Sequence, residues 1–180
     1  MINKIYRSAE ISSGSGREIC GYAIVFNVLS EDMGGYRELI KKEAITSQLI
    51  ACSDIIASMD HRSDYMMARL RNGKGNIDLT IDEHGLKFRF ECPETAKGEE
   101  LLQHVKRGEI TQCSFAFSLD YSDKDAEKWT RNADGTQIRE IWKIERLYDI
   151  SLVQNPAYPS TECYARDIEH CLKQTQINKK

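Results

Sequence analysis

The sequence predicts a mainly β chain with a few helices, an α+β domain whose strands form a bent β-barrel with the helices packed outside. Two observations carry this. Short apolar or alternating runs recur between residues 18 and 153, most of them bounded by Gly, Pro, Asn or Asp. Only three segments, 42–51, 95–107 and 161–173, have helical character. So few helices cannot cover both faces of a broad open sheet. Curling the strands around one core, with the helices outside, buries their apolar faces instead.

The elements follow in order. Residues 2–11 and 18–27 read as strands joined by the flexible run Ser12, Ser13, Gly14, Ser15, Gly16. In the second strand Tyr22, Ile24 and Phe26 take one face. Ala23 and Val25 make the other face apolar too, the pattern of a strand buried on both sides. A loop over 28–35 ends in Gly34-Gly35 and precedes a short strand at 36–40 and a helix at 42–51. The strand 54–59 runs into His61, and 62–65 form a polar turn. Strands 66–71 and 76–81 flank the turn Asn72-Gly73-Lys74-Gly75. After the hairpin connection Asp82-Glu83-His84-Gly85, the residues Leu86, Phe88, Phe90 and Cys92 alternate with Lys87, Arg89 and Glu91. That is a one-sided strand, ended by Pro93. The helix 95–107 buries Leu101, Leu102 and Val105, and Gly108 stops it. Residues 110–121 carry the longest strand pattern. The polar stretch 123–134 reads as a protruding hairpin arm. Strands at 136–144 and 147–153 and a helix at 161–173 complete one domain, 1–173, leaving a flexible C-terminal tail at 174–180.

At 180 residues the chain is long enough for one sizeable core. Its net charge of −3 gives no general attraction to nucleic acid or to an anionic membrane. No apolar run approaches a membrane span, and the polar start MINKIYRSAEISSGSG is not a signal peptide. The six cysteines never form a CxxC pair and most lie within apolar patterns, so packed, reduced thiols are expected and no zinc set is formed. Gly34-Gly35 and Gly73-Lys74-Gly75 are not phosphate loops, since neither precedes a helix with the required Lys-Ser/Thr. No cofactor or metal is expected.

Three segments place one histidine, one serine and one carboxylate on separate strands or strand ends, the inventory of a serine hydrolase. They are Met59-Asp60-His61, the run 111–117 (TQCSFAF) and the run 147–159 (LYDISLVQNPAYP). The chain order His, Ser, Asp differs from that of chymotrypsin-like, subtilisin-like and α/β-hydrolase enzymes, and no GxSxG elbow is present. Strand alternation puts Cys113, Phe115, Phe117 and Leu119 on one face and Ser114, Ala116 and Ser118 on the other. Ser114 therefore faces away from the aromatic core, beside small residues that leave room for a carbonyl carbon. By pattern alone it is more simply an ordinary serine on a half-exposed face. His61 ends an apolar strand, from which an imidazole can reach across a groove, and imidazole is the side-chain type suited to serve as a base for serine. His84 lies in a turn, His104 on a charged helix face and His170 near the C-terminus, so His61 has the best context of the four. Asp149 shares a strand face with Leu147, Ser151 and Val153, and an acid among apolar neighbours needs a partner. That partner is His61 in a triad, or else a cation such as Arg146 or Arg139. Glu145 is the alternative acid. Arg69 or loop amides could stabilise the oxyanion. A thiol hydrolase built on Cys113 or Cys52 is disfavoured, because neither has a histidine near it in the pattern.

A wider set of residues carries a resemblance. The run 21–27 (GYAIVFN) is followed by Ser30, Asp32, Gly34-Gly35 and Glu38, then Asp60-His61, the run 113–117 (CSFAF), and Asp149-Ile150-Ser151-Leu152-Val153 with Asn155-Pro156-Ala157-Tyr158-Pro159. In this order they resemble the prohead (capsid maturation) proteases of tailed bacteriophages, from about residue 20 to residue 159. The resemblance implies the barrel of herpesvirus assemblin-type proteases, with Ser114 at the nucleophile position and His61 at the base. In the herpesvirus enzymes the third member is a histidine, so Asp149, Glu145 or another residue stays open for that role. It further implies a serine endopeptidase that cuts scaffold, or the scaffold-like N-terminal segment of the major capsid protein, and itself. The place would be the assembling prohead, in the bacterial host cytoplasm. A homo-oligomer stays open, and neither nucleic acid nor membrane is an expected partner. A catalytically inactive β-barrel, serving the head as a structural or scaffolding part, is the alternative reading.

Overall fold

A computed structural model describes residues 16–154 and the backbone of 162–165. The predicted strand 2–11, most of the 12–16 linker, the turn 155–161, residues 166–173 and the tail 174–180 lie outside the described residues. The strands are β1 (Glu18–Val25), β2 (Tyr36–Ile40), β3 (Asp54–Met59), β4 (Met66–Arg71), β5 (Lys74–Gly75), β6 (Ile77–Ile81), β7 (Gly85–Glu91), β8 (Gln112–Ser118), β9 (Glu127–Arg131), β10 (Gln137–Ile141), β11 (Arg146–Val153) and β12 (Glu162–Ala165). Two α-helices, α1 (Ser47–Cys52) and α2 (Ala96–Lys106), and short 3-10 turns at Lys42–Ala44 and Ser63–Tyr65 connect them. The chain is thus mainly β with two helices among the described residues.

The strands form three sheets. Their orders are β12-β1-β7-β6, β2-β10-β9 and β5-β4-β3-β11-β8. None of the three closes on itself among the described residues, so a closed barrel is not observed. One core nonetheless serves them. Ile19, Ile24 and Phe88 from the first sheet, Ile55, Leu147 and Ile150 from the third, and Leu101 and Leu102 of α2 belong to a single buried cluster. The alternation in β7 places Leu86, Phe88 and Phe90 in that core, as its one-sided pattern requires.

Several expectations are corrected. The segment 42–51 is not one helix. A 3-10 turn comes first, and α1 starts only after Thr46, whose side chain caps it by accepting from the Leu49 amide. A good N-cap inside a helical pattern restarts the helix there. The predicted long strand 110–121 contributes only β8. The polar stretch 123–134 does supply a hairpin strand, β9, antiparallel to β10; what the pattern does not anticipate is that β10 also pairs in parallel with β2. Arg139 of β10 ties this sheet together through Glu38 (3.0 Å) and Glu127 (2.6 Å). Finally, Glu162–Ala165 does not begin a helix. It adds to β1 as an antiparallel strand, with α2 lying against it.

Candidate active site

The five-stranded sheet brings the predicted residues onto one face. β3 and β11 run parallel, with Asp149 opposite Ile56 and Ser151 opposite Ser58. On its other side β11 is antiparallel to β8, with Asp149 opposite Ala116 and Ser151 opposite Ser114. Paired residues share a face, so Ser58, Ser151 and Ser114 form one row across three strands and Asp149 lies in the next row. Cys113 and Phe115 turn into the core and Ser114 is half-buried on the other side, as strand alternation predicts.

The face assigned to Leu147 needs correction. The β11–β8 register shifts between Leu147 and Asp149, leaving Tyr148 as a bulge. Leu147 pairs with Phe117 and is fully buried, while Asp149 pairs with Ala116 on the opposite face. An extra residue in one strand reverses every later side chain relative to simple alternation. The exposed Tyr148 is that residue, and Asp149 owes its position to it.

His61 leaves the end of β3 through a tight turn. Asp60 and His61 both have left-handed backbones, with φ of 50° and 56°. The Arg62 amide closes the turn on the Met59 carbonyl at 3.1 Å. Two successive positive φ values are the mark of a type I′ turn, and Asp and His tolerate them better than most residues. The turn carries the imidazole over the sheet, where Nδ1 lies 3.0 Å from Oδ1 and 3.1 Å from Oδ2 of Asp149. A carboxylate facing Nδ1 at this distance suits the tautomer with the proton on Nδ1, the form whose Nε2 lone pair can accept a proton. Asp149 is only 8% exposed, and its other expected partners are not used: Arg139 is held by Glu38 and Glu127. The Ser114 hydroxyl is not hydrogen-bonded to His61. Its strand lies directly beside β11, which carries Asp149.

The other candidates are placed elsewhere. Glu145 accepts from the Ser118 hydroxyl at 3.2 Å, at the far end of β8. Arg69 of β4 makes a two-pronged pair with Asp54, at 2.7 and 2.6 Å. Three inter-strand spacings, about 14 Å, separate β4 from β8. His84 packs edge-on against Tyr22, and His104 faces Glu109 at 2.6 Å. His170 lies outside the described residues. Cys113 is fully buried in the core, and burial pushes the Cys92 thiol up to about 12. Cys52 is exposed and accepts from the Gln48 amide group. No cluster of potential metal ligands occurs among the described residues.

Sequence reading overlooked one pair. Ser58 and Ser151 are fully buried, their hydroxyl oxygens lie 2.5 Å apart, and Ser151 Oγ accepts the backbone N–H of His61 at 2.8 Å. The signal was present in Ser151, a hydroxyl set between the apolar residues Ile150 and Leu152, two positions after Asp149.

Comparison with known proteins gives both a family and a fold. The family model for the caudovirus prohead serine protease matches residues 4–174. Among solved structures, the KSHV protease in complex with a hexapeptide phosphonate inhibitor is similar, with a TM-score of 0.53 and 13% identity over 88% of this chain and 69% of that chain. The Kaposi's sarcoma herpesvirus protease in complex with an allosteric inhibitor aligns at a TM-score of 0.49 and 13% identity, over 87% of this chain and 82% of that one. No curated protein matches the chain.

Proposed function

This chain belongs to the caudovirus prohead serine protease family, and from that premise we propose that Ser114, His61 and Asp149 are its catalytic triad. Serine proteolysis in capsid maturation is the family's work, with capsid protein as the substrate. The finer reading is that this enzyme cuts scaffold or the scaffold-like N-terminal segment of the major capsid protein, and then itself, inside the assembling prohead in the host cytoplasm. The observation that carries the triad is the His61 Nδ1–Asp149 hydrogen bond on the sheet face that Ser114 shares. Ser114 Oγ attacks the scissile carbonyl, and its proton passes to His61 Nε2. Asp149 stabilises the resulting imidazolium, which then protonates the leaving amine. Water hydrolyses the acyl-enzyme by the same route in reverse roles. In this reading the Ser114–His61 contact forms when substrate is bound, since such bonds are commonly long in an enzyme without substrate. The barrel expected from the sequence belongs to this reading as well: β1 and β12 contact β8, and β6 and β7 contact β4, so the four- and five-stranded sheets meet at both sides.

Co-expression with the major capsid protein precursor of the same phage or prophage tests the proposal. Wild-type enzyme should produce new N-termini in the capsid precursor by mass spectrometry, and Ser114→Ala should produce none. A fluorophosphonate probe should label Ser114 in the wild type. Equal processing by Ser114→Ala would overturn the nucleophile, and absence of both processing and labelling would favour the inactive structural component.

A further inference from the structure

We infer that Ser151, backed by Ser58, is a positioning residue that locks the His61 turn so that the imidazole meets Asp149 and presents Nε2 towards Ser114. The inference rests on the proposed triad and concerns what holds it in shape.

The turn that carries His61 is conformationally unfavourable by itself. Asp60 and His61 are consecutive non-glycine residues with φ of 50° and 56°. L-residues leave such a state unless something outside the turn fixes it. The fixing contacts both come from β11. The Asp60 amide donates to the Leu152 carbonyl at 3.1 Å, the last step of the parallel β3–β11 ladder. The next amide, that of His61, finds no carbonyl and donates to Ser151 Oγ at 2.8 Å. One side-chain oxygen of β11 thus holds the backbone of the residue whose ring must be aimed.

Ser151 is itself fixed. It is fully buried and lies 2.5 Å from the equally buried Ser58 Oγ. Between them the two hydroxyls share one proton along that line, and Ser151 keeps a lone pair for the His61 amide whichever serine donates. The register explains why these residues can do it: Ser58, Ser151 and Ser114 stand in one row across β3, β11 and β8. Ser151 therefore sits between the strand that ends in the His61 turn and the strand that carries Ser114. It is also two residues along the same strand face from Asp149. A single rigid strand thus aims the turn with Ser151 and orients the ring with Asp149.

The test uses the full chain and two readouts, one of which does not need catalysis. The first is the rate of Ser114 labelling by a fluorophosphonate probe. The second is the ¹⁵N shifts of the His61 imidazole, which report the ring nitrogen that carries the proton. Wild type should show the Nδ1–H form. Ser151→Ala should lower the labelling rate about 10–100-fold, the scale of an ångström-level misplacement, and mix the two ring tautomers. Ser151→Thr, which keeps the hydroxyl, should restore the Nδ1–H form. Ser58→Ala should move both readouts in the same direction by less, and it decides the matter if Ser151→Ala does not fold. Unchanged tautomer and labelling in the folded variants, with only a lower melting temperature, would overturn the inference and leave Ser151 a packing residue. If wild type is never labelled at Ser114, the triad reading fails. The tautomer measurement still decides whether Ser151 aims His61.

Discussion

At the scale of residues, the site depends on a few polar groups in otherwise apolar surroundings. Asp149 is nearly buried, and His61 Nδ1 is its hydrogen-bond partner. Asp149→Asn replaces an acceptor with an amide that can face Nδ1 either way and so no longer fixes the tautomer. Turnover should fall by up to about 10⁴-fold. Glu145→Gln should have a small effect, because its carboxylate bonds Ser118 at the end of β8. Peptidase assays of the two variants rank them, and the opposite ranking would move the acid role to Glu145. Ser114→Ala and His61→Ala should each lose nearly all activity, while the double variant should be little worse than either. Groups that act as one unit are strongly non-additive. Losses that multiply would mean His61 acts independently, for instance in binding substrate.

At the scale of elements, local chemistry explains starts and stops that a hydrophobic pattern leaves vague. Thr95 caps α2 by accepting from the Gly98 amide at 3.1 Å. Gly98 sits in the first turn for a packing reason, since a Cβ there would lie 2.1 Å from the Pro93 carbonyl oxygen. Gly to Ala within a helix ordinarily gains about 1 kcal/mol. Here the clash with fixed backbone should win, and Gly98→Ala should destabilise by about 1–3 kcal/mol, typical of overpacking. Thermal unfolding reads the sign directly, and a raised melting temperature would refute the steric account. The bulge at Tyr148 is the element-scale feature that matters most for the site. Without it, regular alternation would send Asp149 and Leu147 to the same side.

At the scale of the whole molecule, charge and concentration are the quantities to vary. Arg62, and then Lys97, hold the Asp64 carboxyl down from 3.8 to about 2. A depressed folded-state value means that the unfolded chain binds more protons in this range. Stability from this group is therefore full above about 3.8 and is lost as pH falls towards about 2. Asp64→Asn should flatten the pH dependence of the melting temperature across that window. Because the carboxylate is exposed, high salt should shrink the difference between variant and wild type. No difference at low salt would show that the pair does not persist in solution. Regulation belongs to the same scale. A prohead protease works in a confined space, and confinement fills weak contacts that are empty in dilute solution. Specific activity on a short peptide should therefore rise with enzyme concentration, together with self-association of Ser114→Ala by sedimentation. Constant specific activity with a monomer throughout would place the control in presentation of the substrate.

What the sequence by itself determined is the set of local patterns and the residue types they display. The alternation of Leu86, Phe88 and Phe90, the stripe of α2 and the outward turn of Ser114 were all legible, because periodicity within one segment says which side chains share a face. The ordered motifs also pointed to the family and nominated His61, Ser114 and Asp149. Only the tertiary structure decided what depends on a partner strand far away in the chain. The parallel union of β2 with β10, the addition of β12 to β1, the Tyr148 bulge and the anchoring of the His61 amide on Ser151 are of this kind. Each is set by inter-strand hydrogen bonds and register between distant segments, which a period-2 pattern does not encode. The contact between His61 and Asp149 has the same origin. Two residues 88 positions apart meet because β3 and β11 pair in parallel, one bulge reverses a face, and one buried hydroxyl fixes a turn.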